Sequence, residues 1–281
     1  MGKMLNNSRT KYYTRRWRIF SLVLLGVVCF QVPTYSGTWS QTTQAGFTLS
    51  NVDSTTNGGD ITLSGAYSTD SKTVLLMHFD EGIGDPQDSS GKGNNGANNG
   101  AAYTASGKFG NALSFDGVNG FIALPAITNP TDFTIECWIK SDTYEVLIHD
   151  RPFVASDSWV SGKICFSQRP VDEDNFTIFT NVYGQGPDQF YSNKKDFKIN
   201  TWYHVAWTHN HTTKTDNIYV NGVLDATQKF DTYPDVDFSD LNIGLFYVNM
   251  GERCFSGIID EVRISNVVRT SFSIANLQKI K

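Results

Sequence analysis

The stretch FTIECWIK, residues 133–140, alternates strictly: Phe133, Ile135, Cys137 and Ile139 face one way, Thr134, Glu136, Trp138 and Lys140 the other. A period of two is the spacing of a strand with one buried face. Similar short runs follow in KICFSQ, FTIFTNV, WYHVAWTHN, DNIYVNG, LNIGLFYV and GIIDEVRIS. Asp116-Gly117, Asn119-Gly120 and Asn221-Gly222 supply turns between or beside such runs. No long stretch repeats apolar residues at helical spacing, and strands do not alternate with helices, which excludes a parallel sheet with crossover helices. The pattern predicts an all-β protein, a sandwich or barrel of antiparallel strands. The aromatic content of 13% and the 24 glycines suit pleated, half-buried surfaces joined by many turns.

The N-terminus has a different character. Residues 1–18 carry Lys3, Arg9, Lys11, Arg15, Arg16 and Arg18 and no acid, and residues 19–30, IFSLVLLGVVCF, carry no charge. A basic segment, a short apolar segment and a polar break at Pro33 read as an export signal over residues 1–36. An uncleaved membrane anchor is the alternative, although a spanning helix needs about 20 apolar residues. Export places the mature chain outside the cell or on its surface, with membrane contact only if this segment is retained. Residues 37–72, rich in Ser, Thr and Gly, read as a linker, and residues 73–281 as the domain. The stretch 82–111, dominated by Gly, Asn, Ser and Ala, joins two strand-like runs of that domain and reads as an ordered loop.

The formal net charge of -5 argues against a nucleic-acid partner. Cys137, Cys165 and Cys254 all lie in apolar runs. In an exported protein they allow either one disulfide plus a free thiol, or three buried free thiols. They are too few and too scattered for a zinc site.

Taken in order, LLMHFDE, DSSGKGNNG, GKFGNALSFDGVNGFIALP, FTIECWIK, NTWYHVAWTHN, NIYVNG and GIIDEVRIS resemble the laminin-G-like jelly-roll family, of the concanavalin A-like kind, over residues 73–281. The resemblance implies a two-sheet antiparallel β-sandwich, secretion and often a bound calcium. It implies no single function, since similar domains serve as sugar-binding modules, adhesion modules and accessory domains of enzymes. By similarity, Asp80 at the end of the first strand and Asp260 in the last are the calcium ligands. The exposed backbone at Gly120 offers a carbonyl. The alternatives are that Asp80 caps a turn and that Asp260 pairs with Arg263 or a backbone amide.

Sugars present apolar C–H faces that meet exposed aromatic rings. Trp159, Tyr183, Tyr191 and Tyr247 sit in polar loops and are the candidate ligand-binding residues, with plugging of the sandwich ends as their structural alternative. A glycosidase needs two carboxylates flanking the scissile bond, and no strand here carries acids two or four apart on one face. The expectation is therefore a non-enzymatic surface module whose partner is an extracellular glycan. Adhesion to a surface protein is the second reading, and a glycoside hydrolase-like enzyme the third.

Overall fold

The computed structural model describes residues 66–142, 150–172, 175–186, 189–246 and 253–272, and a short strand pair at 56–57 and 60–61. The N-terminal segment 1–36 and Tyr247 lie outside the described residues. The strand pair, β1 (Thr56–Asn57) and β2 (Asp60–Ile61), is an antiparallel ribbon in a separate N-terminal unit. Among the described residues there is no helix.

The larger unit is a sandwich of two antiparallel sheets. The front sheet runs β12 (Phe190–Tyr191), β11 (Asn175–Val182), β10 (Ile164–Pro170), β9 (Arg151–Ser156), β17 (Leu241–Ile243), β7 (Phe121–Ala123) and β4 (Ala97–Asn99), with β13 (Phe197–Lys198) also against β11. The back sheet runs β16 (Val223–Lys229), β15 (Thr215–Val220), β14 (Tyr203–Asn210), β8 (Phe133–Ser141), β18 (Ser256–Ser265), β6 (Ala112–Asp116) and β5 (Ala102–Thr104). The first core strand, β3 (Thr73–Met77), pairs with the last, β18. Alternation decides what each strand buries. Phe133, Ile135, Cys137 and Ile139 of β8 and Val205 and Trp207 of β14 meet Phe153, Phe166, Phe176 and Ile178 of the front sheet in one core. Each such side chain contributes about 1.5–3 kcal/mol by leaving water.

The Gly- and Asn-rich stretch is ordered, as its position predicts. Asp88 organises it, accepting from the N–H groups of Leu76 (3.0 Å), Ser90 (2.8 Å) and Asn94 (2.9 Å) and from Ser90 Oγ (2.7 Å). Partial burial acts to raise the Asp88 pKa, but these donors outweigh it and hold the carboxyl below its ordinary value.

One expectation is overturned. The polar phase of β8 does not meet water: Thr134 and Glu136 are fully buried and Trp138 nearly so. Segments flanking the sandwich cover this outer face. Tyr67 N–H donates to Glu261 Oε2 (2.7 Å), Arg263 Nη1 to Ser68 O (3.2 Å), and Thr134 Oγ1 to Val267 O (2.7 Å). Arg269 Nη2 bonds Asp70 Oδ1 at 2.8 Å and so ties the two segments together. Residues 66–72, read as the end of a linker, are thus packed on the sandwich. Beneath them Glu136 accepts from Arg263 Nε (2.9 Å) and Nη2 (2.6 Å) and meets His204 Nε2 at 3.1 Å. The partner of Arg263 is therefore Glu136. A bulge between Asp260 and Arg263 sets Arg263 opposite Glu136 and Asp260 opposite Trp138. All three candidate cysteines are buried free thiols.

Candidate functional site

The outer face of the front sheet carries a second apolar cluster, separate from the core. In β10 and β11, Ile164, Phe166, Ile178 and Val182 point inward, and Cys165 and Phe179 outward. Ala155, Cys165, Phe179 and Phe246 form the outer cluster, with Tyr183 and Tyr191 against it. The turn between β9 and β10 adds Trp159. Its placement depends on Gly162, at φ +89, whose N–H donates to Tyr183 O at 2.8 Å. A Cβ there would collide with Asp235 O at 2.5 Å, and the positive φ favours glycine in any case. Tyr183 stacks on Phe246 with centroids 5.9 Å apart, and Trp159 leans on the same ring at 5.8 Å. Tyr191 packs on Phe179 at 5.3 Å. Trp159 remains 45% exposed and Tyr183 and Tyr191 are half-buried, whereas Phe246 and Phe179 beneath them are buried.

Charged groups run beside these rings. Asp150, nearly buried, is gripped by Arg169 through Nε–Oδ1 (2.6 Å) and Nη2–Oδ2 (3.0 Å). Arg169 also donates through Nη1 to Gln189 Oε1 (3.2 Å) and to the Tyr191 hydroxyl. Its guanidinium carbon lies 4.6 Å from the Phe179 ring centroid and 5.3 Å from that of Tyr191. Burial acts to lower the Arg169 pKa, yet the Asp150 pair prevails and raises it. Arg253 lies over Trp159 (5.6 Å) and Phe246 (5.3 Å), with Nη1 4.0 Å from Asp150 Oδ2. Burial raises the pKa values of Tyr183 and Tyr191, so both hydroxyls stay protonated donors.

Trp159, Tyr183 and Tyr191, chosen from polar loops, thus fall on one face of one sheet. Sequence reasoning missed Phe179, Phe246, Asp150, Arg169 and Arg253. Phe179 had a signal: in FTIFTNV it is the apolar residue on the otherwise polar phase. Arg253 had none, because it precedes β18 and reaches the face only through the fold.

The two candidate metal ligands bracket the loop 105–111. Asp80 Oδ1 accepts from Asn111 N–H at 2.7 Å and Asp260 Oδ2 from Phe109 N–H at 2.9 Å. Both therefore make the backbone contacts named as alternatives. The backbone here is special: Phe79 at φ 60 and Glu261 at φ 54 are non-glycine residues in the left-handed region. The Glu261 bulge puts two buried acids in succession, Asp260 and Glu261. Glu261 is bound by His78 Nδ1 (2.8 Å), whereas Asp260 Oδ1 is buried with no hydrogen-bond partner among the described residues. Burial, with the charges of Glu261 and Asp80, pushes the Asp260 pKa up to about 8. A partnerless buried carboxylate oxygen beside other acids fits a hard cation. Among the described residues no group of three His, Cys, Asp or Glu could hold a metal ion. Gly120 is not brought to this place. Its N–H donates to Asp116 Oδ1 (3.2 Å), and Asp116 lies opposite Ser256. That position is about 14 Å from Asp260 along β18, at roughly 3.4 Å per residue.

A sequence model of the family described as the concanavalin A-like lectin/glucanases superfamily matches residues 116–275. No curated protein matches the chain. Among solved structures, the fold is similar to domain 4 of AbnA, a GH43 extracellular arabinanase from Geobacillus stearothermophilus, in complex with arabinotriose. That match has 19% identity and a TM-score of 0.55, covering 69% of this chain and 92% of that one. The binding domain of Paraclostridial Mosquitocidal Protein 1 matches with 16% identity and a TM-score of 0.53, covering 70% of this chain and 49% of that one. The binding domain of botulinum neurotoxin serotype G matches with 15% identity and a TM-score of 0.51, covering 70% and 49%. The match thus takes in about half the length of either toxin binding domain. At these identities the likeness establishes the fold.

Proposed function

The chain belongs to the concanavalin A-like lectin/glucanase superfamily, and from that premise we propose that it is a non-catalytic carbohydrate-binding module displayed outside the cell. The observation that carries the reading is the front face: Trp159, Tyr183 and Tyr191 lie over the buried Phe246 and Phe179, beside Arg169, Arg253 and Gln189. Rings take the C–H faces of a pyranose or furanose, and the flanking donors and acceptors take its hydroxyls. The related arabinanase domain, solved with arabinotriose, lends support to a saccharide ligand.

Binding rather than hydrolysis is favoured by the carboxylates. Asp150 is the acid whose described contacts lie on this face, and Arg169 holds both its oxygens. A glycosidase would need two carboxylates free to flank a glycosidic bond. In this reading Asp80 and Asp260 hold a calcium ion that joins β3, β18 and the loop 105–111, a structural role remote from the rings. The basic and apolar N-terminal sequence supports export.

The test is a glycan-array screen followed by titration calorimetry of any hit. Trp159→Ala and Tyr191→Ala should each weaken binding about tenfold or more, near 1.4 kcal/mol, in protein that thermal melts show to be still folded at the assay temperature. If the array gives no hit, or both variants bind as the wild type does, the sugar-binding reading fails.

A further inference from the structure

We infer that the front face selects an acidic saccharide, one bearing a carboxylate or a sulfate ester, and that Arg253 is the residue that reads the acid. The inference rests on the carbohydrate-binding reading and adds the chemical class of ligand. It starts from how the charges on the face are paired. Asp150 and Arg169 satisfy each other through two short bonds, and the remaining Arg169 donors go to Gln189 and the Tyr191 hydroxyl. That pair is closed and close to neutral.

Arg253 is placed differently. Among the described residues its guanidinium has one ionic contact, Asp150 Oδ2 at 4.0 Å, which is beyond hydrogen-bond length. Its side chain is only 18% exposed, and the cation lies against the rings of Trp159 and Phe246. A desolvated guanidinium beside one already neutralised carboxylate has donors to offer and charge to compensate. Its planar fork matches a carboxylate or sulfate through two parallel N–H bonds. The rings fix where a ligand would lie. A sugar laid against the exposed part of Trp159 would carry its substituents toward the cation that borders the same ring. At the other end of the face, Lys195 Nζ lies 5.0 Å from the Tyr191 ring centroid and adds a second positive group. Lys195 has Asp225 as its neighbouring acid and Arg169 has Asp150, which leaves Arg253 as the cation against these rings without a hydrogen-bonded acid among the described residues.

The experiment is calorimetry of the full purified protein with three oligosaccharides of matched length: a neutral hexose oligomer, its uronic-acid counterpart and its sulfated counterpart. The expected result is at least tenfold tighter binding of one acidic oligomer than of the neutral one, with that preference shrinking as salt rises. The carboxylated and sulfated arms identify which acid is read. Arg253→Gln should bring the acidic-to-neutral affinity ratio close to one, and Arg253→Lys should restore part of it. Trp159→Ala should weaken acidic and neutral binding in proportion and leave the ratio alone. If the neutral oligomer binds as tightly as both acidic ones, or if the ratio survives Arg253→Gln, the inference is overturned while the sugar-binding reading stands. If no oligomer binds and the array is also blank, both fall.

Discussion

Arg263→Leu tests the buried network that the sequence concealed. Arg263 gives Glu136 its two closest contacts, at 2.6 and 2.9 Å, and Glu136 is wholly buried. Removing one partner of such a pair leaves a charge in a low-dielectric site and costs about 3–5 kcal/mol. A domain of this size loses roughly 2–4 °C of Tm per kcal/mol, so the variant should melt about 6–20 °C lower at pH 7. The dependence on pH identifies the cause. In the wild type burial acts to raise the Glu136 pKa, but the His204 bond and the Arg263 charge prevail and lower it. The ionised Glu136 thus contributes stability above its unfolded pKa of about 4.3, lost as pH falls through the lower folded value. In the variant burial dominates and the folded pKa rises above the unfolded one. The penalty is then largest near pH 7 and shrinks as acid protonates Glu136, because the folded state takes up the proton more readily. Thermal melts of both proteins from pH 4 to 8 measure the difference. A ΔTm that stays constant over that range would refute charge compensation and reduce Arg263 to packing against Tyr67, whose ring lies 4.6 Å from its guanidinium carbon.

Three further outcomes are expected. Calcium should raise the Tm of metal-stripped protein, by mass action on the native state, and Asp260→Asn or Asp80→Ala should abolish that rise; an unchanged wild-type Tm in millimolar calcium would remove the ion from the picture. The thiols of Cys137, Cys165 and Cys254 are buried, and burial raises each of their pKa values; they should react with a thiol reagent only after denaturation, and fast labelling of the native protein would contradict this placement. Gly257 lies in β18 at φ +137, where an added Cβ would strike the backbone oxygen of Lys140; Gly257→Ala should cost several kcal/mol, of the order of other core overpacking or backbone-strain changes, and a Tm within a degree of wild type would show that the β8–β18 pair yields easily.

The strands were legible because each core strand obeys one local rule, a period of two, and the rule does not depend on what lies across the sandwich. Thus FTIECWIK and FTIFTNV became β8 and β11 within a residue or so of their predicted ends. What period two cannot tell is whether the second face is also covered. Glu136 and Trp138 read as solvent-facing, yet Tyr67, Phe109 and Val267 come from segments about 30 to 130 residues distant in sequence to bury them. The same limit hid the outer aromatic cluster of the front sheet. Tyr183 and Tyr191 were visible as loop aromatics, but the facing role of Phe246 and Arg253 exists only once β17 and β18 deliver them to the end of β9 and β11.

That contrast between the two outer faces bears on function. The back face holds the more reactive-looking set, Glu136, His204, Asp260 and Glu261, and every one of these is fully buried. Tyr67 and the 266–272 segment lie over it, and Arg269 joins the segment to Asp70. A ligand could reach Glu136 or His204 only by displacing those segments and exposing an ion pair that is already satisfied. On the front face the order is reversed: the acid, Asp150, is nearly buried and paired, while the aromatic surface above it stays open at Trp159. A ligand laid on the exposed part of Trp159 would break none of the hydrogen bonds named above, whereas prying apart the back face breaks several first. The energetics thus support the proposed assignment of the site to the front sheet, with the back sheet a structural part of the sandwich.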